Sequence, residues 1–245
     1  MEEKNPFDGI KTYDNYTHLW QLTLFILFMQ VLSMLAVLAA GHLFKIKLEI
    51  FEGMIPVLLV TAYVSSEVLD GLGVSRREAW QSWTAGAKGD LVKAFKYFWG
   101  YAALLGFMAA VLSAVYCLFA GGSFEKLMKP VADSGAAFEL AAQTAAASPL
   151  RVLFVLFSAC VAAPVAEELF FRRIVYASLR KRKGFWASAF ISGLLFSLFH
   201  GASAPVILPV GMYLAWVYER ERRLPVNIML HGMVNFCITL FRIFG

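Results

Sequence analysis

Cysteine, histidine and charge are all scarce in this chain. Its 245 residues hold three cysteines and four histidines, and 16% of them are charged. Cys117, Cys160 and Cys237 each fall inside an apolar run. They form neither a disulfide framework nor a zinc-finger spacing, and read as small packing residues. There is no His-Glu-x-x-His, which excludes a thermolysin-like zinc site. There is no internal repeat and no low-complexity tract. A cleavable leader is not expected, because residues 1–18 are polar and precede a long apolar run without a small-residue cleavage site. The first apolar run then serves as an uncleaved anchor. Asn15-Tyr16-Thr17 matches a glycosylation sequon, a pattern common by chance.

Hydrophobic residues fill the space left by these absences. They make up 60% of the chain, and the mean hydropathy is +0.65. A soluble domain is nearer 45–50% apolar. Several runs reach or approach the length of a bilayer-spanning helix. The expected fold class is all-α: a polytopic transmembrane bundle of about seven spans, with an interfacial helix. The expected spans are Leu19–Phe44, Ile50–Leu69, Tyr97–Phe119, the apolar first half of Leu150–Lys183, Phe185–Phe199, Val206–Tyr218 and Val226–Phe244. Ser75–Trp83 fits an amphipathic helix at the interface, opened by a Ser75/Glu78 capping box and placing Trp80 and Trp83 at headgroup depth. Ala136–Ala147 fits a short helix within the long stretch Gly121–Ser148. Residues 1–18 read as a polar tail lying on the membrane. One membrane domain results, with residues 1–149 supplying the first three spans and residues 150–245 the helices that carry chemistry.

The net charge of +5 matters less than its placement. Basic residues gather in the loops 70–96, 172–183 and 219–224, whereas 120–149 and 200–205 are poor in them. This pattern sets membrane orientation and does not suggest nucleic acid. It predicts a multi-pass protein with the N-terminus inside, the C-terminus outside and the lipid bilayer as its main partner.

Against that apolar background, Pro164–Arg173 stands out. Ionisable residues at membrane depth are expensive and read as functional. Glu168 and Arg172 are four apart and face each other on a helix. Glu167 points about 100° away and is left without that partner. His200 follows Phe196 by four on the fifth span, and Asn235 follows His231 by four on the seventh. Each pair shares one helix face. His18 and His42 lie in or near the interface and receive no role. With a turn at Lys183–Gly184, Glu167 and His200 both lie about 24 Å from it and so at one level. His231 joins them only if the turn at 180–184 projects beyond the one at 219–225.

A carboxylate, two imidazoles and an amide suit acyl-bond hydrolysis. Glu167 acts as general base on water. His200 holds that water or protonates the leaving amine. His231 and Asn235 donate to the tetrahedral oxyanion. The same residues also read as ligands: Glu167, His200 and His231 make a zinc triad with an open position for water. The sequence does not choose between these. Two other classes use the same inventory. One is a proton-coupled transporter, which prefers inverted repeats and broken helices, neither of which is present. The other is a non-catalytic scaffold or immunity protein of the same fold.

Taken together, Glu167-Glu168-x-x-x-Arg172, Phe196-x-x-x-His200 and His231-x-x-x-Asn235 resemble the motif set of the CPBP family. That family includes the CAAX prenyl proteases of the Ras-converting type and the Abi bacteriocin-processing or immunity proteins. The resemblance covers about residues 150–240, in the family's order. It implies an intramembrane endopeptidase of a prokaryotic inner membrane, acting on a membrane-associated peptide or protein. It implies Glu167 as the water-activating residue, Glu168 and Arg172 in support, and His200, His231 and Asn235 completing the site. The family is often labelled a metalloprotease, yet its archaeal CAAX member looks glutamate-dependent and metal-independent, so the resemblance favours no cofactor over zinc. Many relatives have glycine after the motif arginine. Arg173 stands there in this chain, which puts local helix packing and substrate entry in question.

Overall fold

The computed structural model describes residues 5–45, 50–120 and 148–244. Among them the chain is helical throughout, with turns between helices and no strand. Seven helices follow in order: α1 Tyr16–Phe44, α2 Ile50–Gly71, α3 Arg76–Ala120, α4 Pro149–Arg180, α5 Phe185–Leu198, α6 Ala204–Glu221 and α7 Leu224–Phe244. Five of the seven, α1 to α4 and α7, include a stretch long and apolar enough to cross a membrane, and α5 is a shorter apolar helix. Large apolar side chains such as Phe25, Phe28, Leu35, Phe107 and Leu118 lie on the surface. Water would penalise such a continuous apolar belt, whereas lipid solvates it at no cost. The protein is an integral membrane protein.

Several local expectations need revision. The interfacial helix and the third span are one helix, α3, of 45 residues. The side chain of Ser75 does accept the N–H of Glu78, as a cap should. Between Trp83 and Tyr97, however, only glycines interrupt the pattern, and no proline stops the helix. The polar tail does not lie free on the membrane. Phe7 is fully buried against Tyr176 and Tyr218. Asn5 donates to the carbonyl of Arg180 at 2.7 Å, and Thr12 shares a 2.6 Å hydrogen bond with Ser178. The tail is strapped over the end of α4. The expected loop 201–205 is a single 3₁₀ turn, Gly201–Ser203, with Pro205 already in the first turn of α6. The helix expected at Ala136–Ala147 lies outside the described residues.

α4 is continuous but not uniform. It widens into π-helical turns at Ser158–Ala162 and again at Glu168–Tyr176. Such bulges often mark functional sites. The core gathers around the second one: Phe170, Phe171 and Ile174 of α4 pack with Phe196 of α5, Leu214 of α6 and Leu230 of α7. Two close approaches set the helix spacing. A Cβ on Gly211 would meet Gly193 Cα at 2.9 Å, so α5 and α6 cross there backbone to backbone. A Cβ on Gly232 would lie 2.5 Å from the carbonyl oxygen of Cys160, so α7 rides directly on the first π turn. Glycine is required at both crossings because any side chain would prise the helices apart.

Candidate active site

The paired glutamates straddle the start of the second π turn, with Glu167 ending the α-helical stretch and Glu168 opening the π turn. Glu168 and Arg172 are both fully buried. Arg172 Nε lies 3.2 Å from Glu168 Oε2, a charge pair that is not aligned as a hydrogen bond. The guanidinium also stacks 4.8 Å over the ring of Phe196 and reaches Ser192 Oγ at 3.5 Å. Ser192 in turn donates to the carbonyl of Phe171 at 3.0 Å, tying α5 to α4. A buried charge needs a partner and hydrogen bonds to be tolerated, and Glu168 has both. Its other oxygen accepts from His231 Nδ1 at 3.0 Å, and Asn227 Nδ2 approaches Oε2 at 3.3 Å.

This bond orients His231. A carboxylate only accepts, so Nδ1 carries the proton and Nε2 is turned the other way. It faces Glu167, whose Oε2 lies 3.7 Å from Nε2. Glu167 Oε2 is buried and makes no hydrogen bond among the described residues, yet the side chain as a whole keeps 20% of its exposure. The two carboxylates sit in different surroundings. Glu168 is neutralised locally, and Glu167 is held against an imidazole with an oxygen unclaimed.

The remaining motif residues lie around this pair in different ways. Phe196 forms the floor, with its ring centroid 4.7 Å from that of His200 and 5.9 Å from that of His231. Among the described residues His200 makes this ring contact and no direct bond to a glutamate. Its Nδ1 donates to the Phe196 carbonyl at 2.8 Å, which leaves Nε2 as the acceptor of the ring. Asn235 donates its amide to the carbonyl of Ala159 at 2.8 Å. Together with Gly232 it clamps α7 onto the first π turn.

Asn227 was not singled out from the sequence. It precedes His231 by four, so it shares the face of His231 and Asn235, and that spacing was the available signal. Besides approaching Glu168 it donates to the Leu214 carbonyl at 2.8 Å, joining α7 to α6. A zinc site would need three donors converging. Among the described residues no group of three His, Cys, Asp or Glu side chains does so as placed.

Fold and site thus define a helical membrane protein with a buried carboxylate–imidazole–guanidinium cluster. Residues 149–237, the stretch that holds all three motifs, match a family model described as type II CAAX prenyl endopeptidase Rce1-like. The resemblance to the CPBP family is borne out over that segment. Among curated proteins, YdiL of Bacillus subtilis, provisionally named a membrane peptidase, is 27% identical over 34% of this chain and 35% of its own length. The UPF0177 proteins YbdI and YaiH of Lactococcus lactis are 31% and 28% identical, each over 38% of this chain and over 52% and 39% of their own lengths. The matched stretch spans between a third and about half of the curated relatives. No solved structure matches significantly.

Proposed function

We propose that the protein is an intramembrane endopeptidase that hydrolyses a peptide bond of a membrane-associated polypeptide with water activated by Glu167. One observation carries the reading: Glu167 presents an unbonded, buried carboxylate oxygen 3.7 Å from His231 Nε2, while Glu168 fixes the opposite ring nitrogen. That arrangement suits a base poised beside a proton carrier.

In the proposed cycle Glu167 takes a proton from water as the oxygen attacks the substrate carbonyl. The carbonyl becomes a tetrahedral oxyanion. When His231 carries a proton on Nε2, it donates to that oxyanion, and Glu168 balances its charge from behind. Collapse breaks the C–N bond, and the proton held by Glu167 passes to the leaving amine. His200 positions the water through Nε2. Asn235 acts as a clamp, keeping α7 and so His231 in register with α4. Arg172 keeps Glu168 ionised and fixed.

The test is Glu167→Gln in lipid nanodiscs, read with a fluorogenic peptide library tethered to the bilayer by an acyl chain. Cleavage falls by roughly 10²–10⁴-fold, the usual contribution of a general base. The melting temperature changes by no more than about 2 °C, because Glu167 makes no hydrogen bond among the described residues and its 3.7 Å contact with His231 is weak. Undiminished cleavage by the glutamine variant overturns the reading.

A further inference from the structure

A cavity lies against α4 at Leu169 and Arg173. It has a volume of about 340 Å³ and sits between the end of α2, the first turns of α3, and the α6–α7 turn. Four arginines line it, Arg76, Arg173, Arg222 and Arg223, together with Trp80 and Trp83. Among the described residues no acidic side chain lines it.

The four cations are not equivalent. Arg76 is held by Glu67 at 2.6 Å, and Arg223 makes a two-pronged pair with Asp90. Arg173 has no such partner. Its Nη1 is buried and makes no hydrogen bond among the described residues. A buried guanidinium N–H left unbonded is costly, and the cost is recovered only when an acceptor enters. Arg222, at the apex of the α6–α7 turn, adds a second positive charge without an ion pair among the described residues. Arg173 is also the residue that stands where glycine was expected. It does not hinder helix packing, because the close approaches are at Gly193, Gly211 and Gly232, and its side chain opens on this cavity instead.

The surroundings select the ligand. Trp80 is 67% exposed and sits beside the cavity, on the basic end of the bundle. Tryptophan beside arginine at a helix terminus is the composition of the headgroup layer, and basic pockets between membrane helices hold acidic lipid headgroups. The volume is at the small end of ligand-sized cavities, roughly 300–1,000 Å³, which admits a headgroup and leaves acyl chains outside. We propose that this cavity binds the phosphate headgroup of an anionic phospholipid, with Arg173 and Arg222 as its ligands. Binding needs no hydrolysis and is independent of the role of Glu167.

The test uses the full chain in phosphatidylcholine nanodiscs containing increasing brominated phosphatidylglycerol, which quenches nearby tryptophan. Trp80→Phe/Trp83→Phe identifies the share of the signal that arises at the cavity. Quenching of that share saturates at low mole fraction of phosphatidylglycerol. Half-saturation rises roughly five-fold in Arg173→Gln and again in Arg222→Asn, about the contribution of one interfacial cation each. Asparagine suits the left-handed backbone of Arg222 (φ 49°), and Arg173→Lys restores most of the affinity, so a folding defect is separable. Glu167→Gln quenches like the wild type, which keeps this outcome distinct from the peptidase reading. Equal quenching by brominated phosphatidylcholine, or unchanged half-saturation in both variants, overturns the proposal. So does full displacement by millimolar soluble glycerol phosphate, which would mark a free-anion site, or by a peptide with a free but not an amidated C-terminus.

Discussion

The sharpest expectation concerns two adjacent residues of the same type. Glu168→Gln destabilises the protein severely, and Glu167→Gln hardly at all. Glu168 is fully buried and faces Arg172 at 3.2 Å, His231 at 3.0 Å and Asn227 at 3.3 Å. Glutamine keeps the shape and a hydrogen-bonding oxygen but removes the charge, so the buried guanidinium of Arg172 loses its counter-ion. Breaking a buried pair from one side costs about 3–5 kcal/mol. For a chain of this length each kcal/mol moves the melting temperature by about 2–4 °C, so the loss is about 6–20 °C. The assay is thermal unfolding in one detergent, followed by intrinsic fluorescence. Arg172→Met strands the carboxylate and costs a similar amount. The double variant Glu168→Gln/Arg172→Met costs less than the sum, because neither charge is left alone. A shift below about 3 °C for Glu168→Gln, or strict additivity in the double variant, refutes the claim that this pair is one electrostatic unit.

Two further outcomes follow from the packing and the surface charges. Gly232→Ala pushes a methyl group into the Cys160 carbonyl, and overpacking of this kind costs about 1–3 kcal/mol. It moves α7 off the first π turn, so peptide cleavage drops together with the melting temperature. At the α6–α7 turn, burial pushes the Glu221 carboxyl up, but hydrogen bonds from Lys93 and Tyr97 outweigh it and hold it below its usual range. A carboxylate so depressed contributes stability above its ordinary pKa of about 4.3 and loses it as pH falls. Lys93 is partly exposed, so the effect stays under about 1 kcal/mol. The melting-temperature gap between wild type and Lys93→Ala is therefore widest near pH 7 and closes toward pH 3; a constant gap contradicts the linkage.

Much of this molecule could be read from the chain before any coordinates. The apolar runs located the helices to within a few residues at α1, α2, α5 and α7, because lipid forces every backbone polar group into a helix wherever such a run occurs. The Glu168–Arg172 pair followed from helical spacing alone. What spacing could not supply was any relation between helices. That α3 runs unbroken from Arg76 reflects a missing helix breaker, which patterning by polarity obscured. That the tail folds back depends on Phe7 finding a slot between Tyr176 and Tyr218, which belong to two different helices.

The site divides along the same line. Helix periodicity put Glu167, His200, His231 and Asn235 on definable faces, yet rotation and depth decided their partners. Packing of α7 on the π turn of α4 brought His231 between the two glutamates and turned Asn235 toward Ala159. Phe196 came to pack against both imidazoles, and His200 makes no direct bond to either glutamate among the described residues. Local sequence determines which side chains share a face and which segments can live in lipid. Only the tertiary contacts, set by the glycines that let backbones touch, determine which faces meet and which carboxylate is left unbonded.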